Sequence, residues 1–446
     1  MRAAPRTPAT GHGGAAADPL GELLRGEWND PDGGPPLGAP VRTVAIEESL
    51  AGAEAGLVAA LGLGGRYAVV SDPDTRRALG RRVEAAVAAI GSVERVVLGE
   101  RPHADLATVQ MVRGACAGAD ALIAVGSGTV NDLVKYAAFL DAKPYAVFAT
   151  APSMNGYASA NAAITVDGHK QTLPAAAPQG IFMDLDVLAH APVRMIRAGL
   201  GDSLCRATAQ ADWLLSHRLR GTPYLRAPFA LLAADEERLL EAPEALVAGD
   251  LGAMRSLART LVLSGCGMAI ARGSFPASQG EHLISHYIDM FAPADREPTL
   301  HGEQVGVATL TMARIQERCL AGAAPVVCAS RMTRAELVRR FGSPVGESCW
   351  DGFAVKHLDR PSTEALNARI AAAWDRVRGD VAAVAMPPAR VAAVLERAGC
   401  PASPREIGLH ADFYAAAVRE ARFLRDRYTF LDLADDCGLL AGEVPR

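Results

Sequence analysis

Residues 121–136 read ALIAVGSGTVNDLVKY. The apolar run Ala121 to Val125 has the length of a buried strand, Gly126-Ser127-Gly128-Thr129 turns, and Val130 to Leu140 carries helical spacing. Strand, glycine turn and helix in that order form the first half of a βαβ unit. Glycine lets the backbone approach a ligand closely, and a helix N-terminus offers unpaired N–H groups with partial positive charge. The stretch reads equally as a phosphate cradle and as a plain βα turn. It is not the GxGxxG dinucleotide fingerprint, because Asn131 stands in the third glycine's place, and no GK[ST] follows as in a P-loop. Lys135 sits farther along the helix, beside a ligand's charge or paired with Asp132 or solvent.

The same alternation extends to both sides. Tyr67 to Ser71, Val93 to Leu98, Tyr145 to Thr150, Ile164 to Val166 and Gly180 to Met183 read as further strands. Thr75 to Ile90 and Thr108 to Ala117 read as the helices between them. Strand and helix in turn predict a parallel sheet with helices on both faces. Ser71-Asp72-Pro73-Asp74-Thr75 closes the first strand, where Asp72 and Thr75 are candidates for nucleotide contact or for a helix cap.

Beyond about Pro192 the texture changes. Long amphipathic stretches dominate: 201–217, 243–271, 302–320, 362–378, 388–399 and 411–428. The expectation is an unstructured tail over 1–40, an α/β nucleotide-binding domain over 41–192 and an all-α domain over 193–446. Two domains of different class leave a cleft, the usual place for a ligand.

Composition excludes several classes. The chain has 446 residues, half of them apolar and 21% charged, which rules out disorder of the whole. A net charge of -5 argues against generic nucleic-acid binding. Of 45 basic residues only four are lysine (Lys135, Lys143, Lys170, Lys356). The eight cysteines form no CxxC pair, so a reducing cytoplasm is the expected compartment. No secretory signal is visible, and no charge-free apolar run is long enough to span a membrane.

Three places in the helical half gather ligand-type residues: Gly201-Asp202-Ser203, Glu281-His282 with His286, and His301-Gly302-Glu303. His282 and His286 are four apart and so share a helix face. Leu283 stands where HExxH would need its glutamate, which disfavours a zincin protease. One carboxylate and two imidazoles suit a divalent cation such as Zn, Fe or Ni with open positions for substrate. Asp202 reads equally as a helix cap. Three of the ten histidines fall within residues 282–301, and that clustering sets the metal reading level with that of structural histidines.

At these residues the chain resembles the iron-containing alcohol dehydrogenase and dehydroquinate synthase-like superfamily, and within it the sn-glycerol-1-phosphate dehydrogenases of the AraM-like branch. The similarity rests on VGSGTVNDLVK (125–135), APSMNGYAS (151–159), GLGDSLCRATAQADW (199–213), EHLISHYIDM (281–290), LHGEQVGVATL (300–310) and RDRYTFLDLADDCG (425–438). It implies a Rossmann-like N-terminal domain, a helical C-terminal domain, NAD or NADP, one divalent metal (Zn, Ni or Fe), a small phosphorylated polyol substrate and a homodimer. Residue by residue, Asp202, His282 and His301 match the metal ligands. His286 and Asn155 match positions at the substrate. Gly126, Ser127, Gly128, Asp132 and Lys135 match the nucleotide loop, with Thr150, Ser153 and Ser159 on the adjoining segment. Members usually carry aspartate where Asn155 stands; asparagine keeps the shape and loses the charge. Lys170, in DGHKQTLP, is a candidate for a substrate phosphate or a plain surface lysine. The alternatives are a polyol dehydrogenase with another substrate, a redox-neutral lyase like dehydroquinate synthase, and a nucleotide sensor without turnover.

Overall fold

A computed structural model describes residues 18–166, 169–293 and 296–440, with the side chains of 169 and 170 left aside. Among the described residues there are eight strands: β1 Thr43–Glu47, β2 Arg66–Ser71, β3 Ser92–Val97, β4 Ala121–Gly126, β5 Tyr145–Ala149, β6 Asn161–Val166, β7 His169–Pro174 and β8 Gly180–Asp184. Six of them form one all-parallel sheet in the order β1-β8-β5-β4-β2-β3.

Each central strand is apolar on both faces because helices cover both. Val69, Ile123, Phe148 and Phe182 face one layer, while Val70, Ala124, Val147 and Ile181 face the other. The strand order reverses between β2 and β4, since β3 lies on one side of β2 and β4 on the other. Ligands of such sheets sit outside the carboxyl ends at this reversal. That is where the glycine turn after β4 lies.

The strand list and the tail need correction. Ile164 to Val166 does not complete the sheet: β6 pairs antiparallel with β7 in a separate hairpin. β1 joins the sheet edge instead, beside β8. Only Ile46 of its five residues is buried, so β1 carries no apolar run to betray it. The unstructured tail is also wrong for residues 18–40. Leu20, Leu23 and Trp28 are buried in the main core, and Asp32 accepts the backbone N–H groups of Arg226 and Ala227 at 2.8 and 2.9 Å. A few apolar anchors and one capping carboxylate suffice to order a segment that has no period. Residues 1–17 lie outside the described residues.

From Val193–Leu204 onward helices dominate. The stretch 243–271 divides into Pro243–Val247 and Leu251–Ile270, because Gly249 turns with φ 84° and Asp250 caps the second helix through Ala253 N at 2.8 Å. The expected helix over 201–217 is likewise two, Val193–Leu204 and Arg206–Arg220. Among the described residues no helix is long and apolar enough to cross a membrane.

Candidate functional site

Three helices bring the ligand-type residues together. Asp202 lies near the end of Val193–Leu204, His282 in the first turn of Gly280–Phe291, and His301 opens His301–Ala321. Glycines make this approach feasible. A Cβ on Gly201 would fall 2.2 Å from the Gly302 carbonyl oxygen, and one on Gly302 would fall 1.8 Å from that of Ala198. The first and third helices therefore touch backbone to backbone. A Cβ on Gly199 would meet the Pro152 oxygen at 1.6 Å, so the same helix also carries the loop that holds Asn155.

Asp202 is 1% exposed. Its Oδ2 accepts the Asn155 N–H at 2.8 Å. Its Oδ1 is buried without a hydrogen-bond partner and faces His282 Nε2 at 3.5 Å and His301 Nε2 at 4.0 Å. One ligand atom from each of the three lies within 4.8 Å of the other two. An orphaned carboxylate oxygen between two imidazole nitrogens is the donor set a borderline divalent cation takes, so these residues fit such an ion. The His286 ring lies 6.2 Å from both other rings, on the same cavity.

The charges support one another. Burial opposes a charge on His282, but Asp202 and Glu281 outweigh it and raise its pKa to about 9. Burial likewise opposes the Asp202 carboxylate, and His282 and His301 more than offset that, so its pKa falls. The far ring nitrogens are held as well. His282 Nδ1 meets Glu281 Oε1 at 3.0 Å, and His301 Nδ1 meets Ser285 Oγ at 3.2 Å. Such contacts orient metal-binding imidazoles. Glu281 is itself fixed by Gln279 N at 2.7 Å and Thr208 Oγ1 at 3.1 Å. Sequence reasoning noted Glu281 beside His282 but gave it no role.

The cavity between the two halves holds about 400 Å³. It joins Asp202, His282 and His301 to the start of helix Gly128–Leu140, whose N-cap Ser127 makes no side-chain cap, so the first N–H groups stay available. Of the residues singled out from sequence, Ser127, Gly128 and Asp132 line it from the glycine turn. Ser153, Asn155 and Ser159 line it from the loop after β5, and Asp202, His282, His286 and His301 from the helical half.

Others lie elsewhere. Gly126 ends β4 and serves packing: a Cβ there would fall 2.5 Å from Val130. Thr150 is buried behind the wall, with its N–H on the Gly126 oxygen at 3.2 Å. Asp72 and Thr75 satisfy each other in a capping box, Thr75 N to Asp72 Oδ1 at 2.8 Å and Asp72 N to Thr75 Oγ1 at 3.0 Å, away from this cavity. Lys170 lies in β7, and its side chain is outside the described residues.

Lys135 is the clearest departure. It is fully buried, and its ammonium donates to the Gly156 oxygen at 2.7 Å, the Asn161 oxygen at 3.0 Å and Ser159 Oγ at 3.3 Å. Gly156 and Ser159 belong to the loop that carries Asn155 and Asn161 opens β6, so Lys135 ties helix Gly128–Leu140 to both. Lys135→Met leaves the Gly156 and Asn161 carbonyls with Ser159 as their remaining donor and removes a buried ammonium, and the expected loss is about 1–2 kcal/mol in urea unfolding. A loss under about 0.5 kcal/mol would show that the clamp carries no stability.

Comparison with known proteins gives the family. The family model of iron-containing alcohol dehydrogenases matches residues 45–192. A Bacillus licheniformis protein named glycerol-1-phosphate dehydrogenase (NAD(P)+) is 30% identical over 383 residues, covering 84% of each chain. A Thermococcus kodakarensis protein of the same name is 33% identical over 274 residues, 61% of this chain and 77% of its own. The crystal structure of a maleylacetate reductase from Agrobacterium tumefaciens superposes with TM-score 0.58 at 17% identity, over 90% of this chain and 97% of that one. That level of identity speaks for the fold alone. The chain belongs to the glycerol-1-phosphate dehydrogenase family of the iron-containing alcohol dehydrogenases, NAD(P)-linked oxidoreductases.

Proposed function

We propose that the protein interconverts dihydroxyacetone phosphate and sn-glycerol 1-phosphate, with NAD(P)H as hydride donor in the reducing direction. One observation carries the reading: Asp202, His282 and His301 open onto the same cavity as the N-terminus of helix Gly128–Leu140. In reduction a hydride adds to the ketone carbon, a proton joins its oxygen, and the nicotinamide is oxidised.

The three residues would hold one divalent cation, Zn, Ni or Fe. Bound there, it supplies Lewis-acid polarisation of the reacting oxygen. The chain's own groups do the rest. The free N–H groups at Gly128 and Thr129 bind the cofactor pyrophosphate, where a helix N-terminus favours negative charge. Ser153 and Ser159 flank that path. Asn155, whose N–H is anchored on Asp202, presents an amide to the substrate hydroxyls and fixes their direction. His286, intermediate in exposure and facing the cavity, delivers and removes the proton.

Asn155 favours a second reading, a related polyol or ketone as substrate, because an amide cannot take up a proton as aspartate can. Absorbance of NADH and NADPH decides between them. The protein is stripped of metal, reloaded with Zn²⁺, Ni²⁺ or Fe²⁺, and offered dihydroxyacetone phosphate. Metal-dependent oxidation is expected. Bound metal and cofactor without oxidation would end the dihydroxyacetone phosphate assignment.

A further inference from the structure

We infer that Arg427 supplies the positive charge that selects a phosphorylated substrate, relayed into the cavity through the Ser274 hydroxyl. The inference rests on the reading above that this cavity is the substrate site. Among the described residues, no lysine or arginine lines the cavity. Of the described residues, a dianionic phosphate placed there would face histidines, hydroxyls and one helix start.

Arg427 lies just behind the wall. Its Nη2 donates to Ser274 Oγ at 2.7 Å, and its Nη1 donates to the Ser278 carbonyl oxygen. Both serines line the cavity. The guanidinium also rests over the Phe275 ring, 4.7 Å from its centre. Among the described residues no carboxylate forms an ion pair with it. Of the charges that act on it, Arg425 repels, while Asp426 and Glu281 attract from beyond contact.

A partly buried guanidinium stays charged and is costly without a counter-charge. The missing counter-charge is an anionic group on the far side of Ser274. Because Ser274 Oγ accepts from Arg427, its own hydrogen is free to donate into the cavity. A hydroxyl backed by a cation is a strong donor to phosphate and offers little extra to a neutral polyol.

Calorimetric titration with inorganic phosphate tests the inference without requiring turnover. Wild type, Arg427→Met, Arg427→Lys and Ser274→Ala are compared, with NADH as a second ligand. Arg427→Met is expected to weaken phosphate about 100-fold and Ser274→Ala about 10-fold, with NADH affinity unchanged and Arg427→Lys partly restoring phosphate. In turnover, Arg427→Met raises KM for dihydroxyacetone phosphate more than it lowers kcat. Its preference over unphosphorylated dihydroxyacetone drops by about the same 100-fold. Equal phosphate affinity in wild type and variants, or no phosphate binding by wild type, overturns the inference even if dihydroxyacetone phosphate is reduced. Phosphate binding that depends on Arg427 in a protein that does not reduce dihydroxyacetone phosphate supports it while ending the dihydroxyacetone phosphate assignment. If Arg427→Met does not fold, Ser274→Ala, which leaves Arg427 in place, decides.

Discussion

His282→Ala loses metal retention and turnover together. The change removes the imidazole whose Nε2 faces the orphaned Asp202 oxygen, and it leaves only a carboxylate and one imidazole at the centre. Loss of a ligand costs more than loss of a group that merely orients one, which itself costs 10–100-fold, so a drop of roughly 10³-fold or more in activity is expected. Metal content after dialysis and NADH oxidation are measured on the same sample, with circular dichroism to confirm folding. A fully active, metal-free variant would end the assignment of Asp202, His282 and His301 as ligands.

Gly302→Ala carries the largest expected cost in stability. Its new Cβ would fall 1.8 Å from the Ala198 oxygen and 2.5 Å from the Ala198 carbonyl carbon, and backbone cannot swing aside as a side chain can. Alanine gains about 1 kcal/mol in a helix over glycine. Forcing two helices apart outweighs that, and the expected net loss is about 3 kcal/mol or more in urea unfolding. Metal affinity falls with it, because the separation between these helices sets the distance from Asp202 to His301. Gly322, with nothing within 4 Å of its Cβ position, is the control, and its replacement by alanine is expected to stay within about 0.5 kcal/mol. A Gly302→Ala loss below about 1 kcal/mol would mean that the contact yields easily.

Asn155 and Lys135 show how far a motif reaches. VGSGTVNDLVK and APSMNGYAS placed both residues near a nucleotide and a substrate, and the helix and loop do meet at one cavity. The direction of each side chain was not in the motif. Lys135 turns inward because the carbonyls of Gly156 and Asn161 and the Ser159 hydroxyl converge on its ammonium, contacts that form only once β6 and the loop before it are in place. Asp72 and Thr75 satisfy each other locally.

Local pattern was enough for the alternation of strand and helix through β2, β3, β4, β5 and β8, the helical character after Val193, and the presence of one acid and three histidines suited to a site. Each depends on neighbours within a turn or a strand, so periodicity records it. Contacts between distant parts of the chain leave no such record. Asn155 anchors on Asp202, Gly201 packs on Gly302, and Arg427 reaches Ser274 across 153 positions. β1 and the β6–β7 hairpin find their places by pairing, and residues 18–40 are ordered by a core built largely from later segments. Burial and hydrogen bonding become definite only when those segments meet, so the shape of the cavity and the charge behind its wall belong to the folded chain.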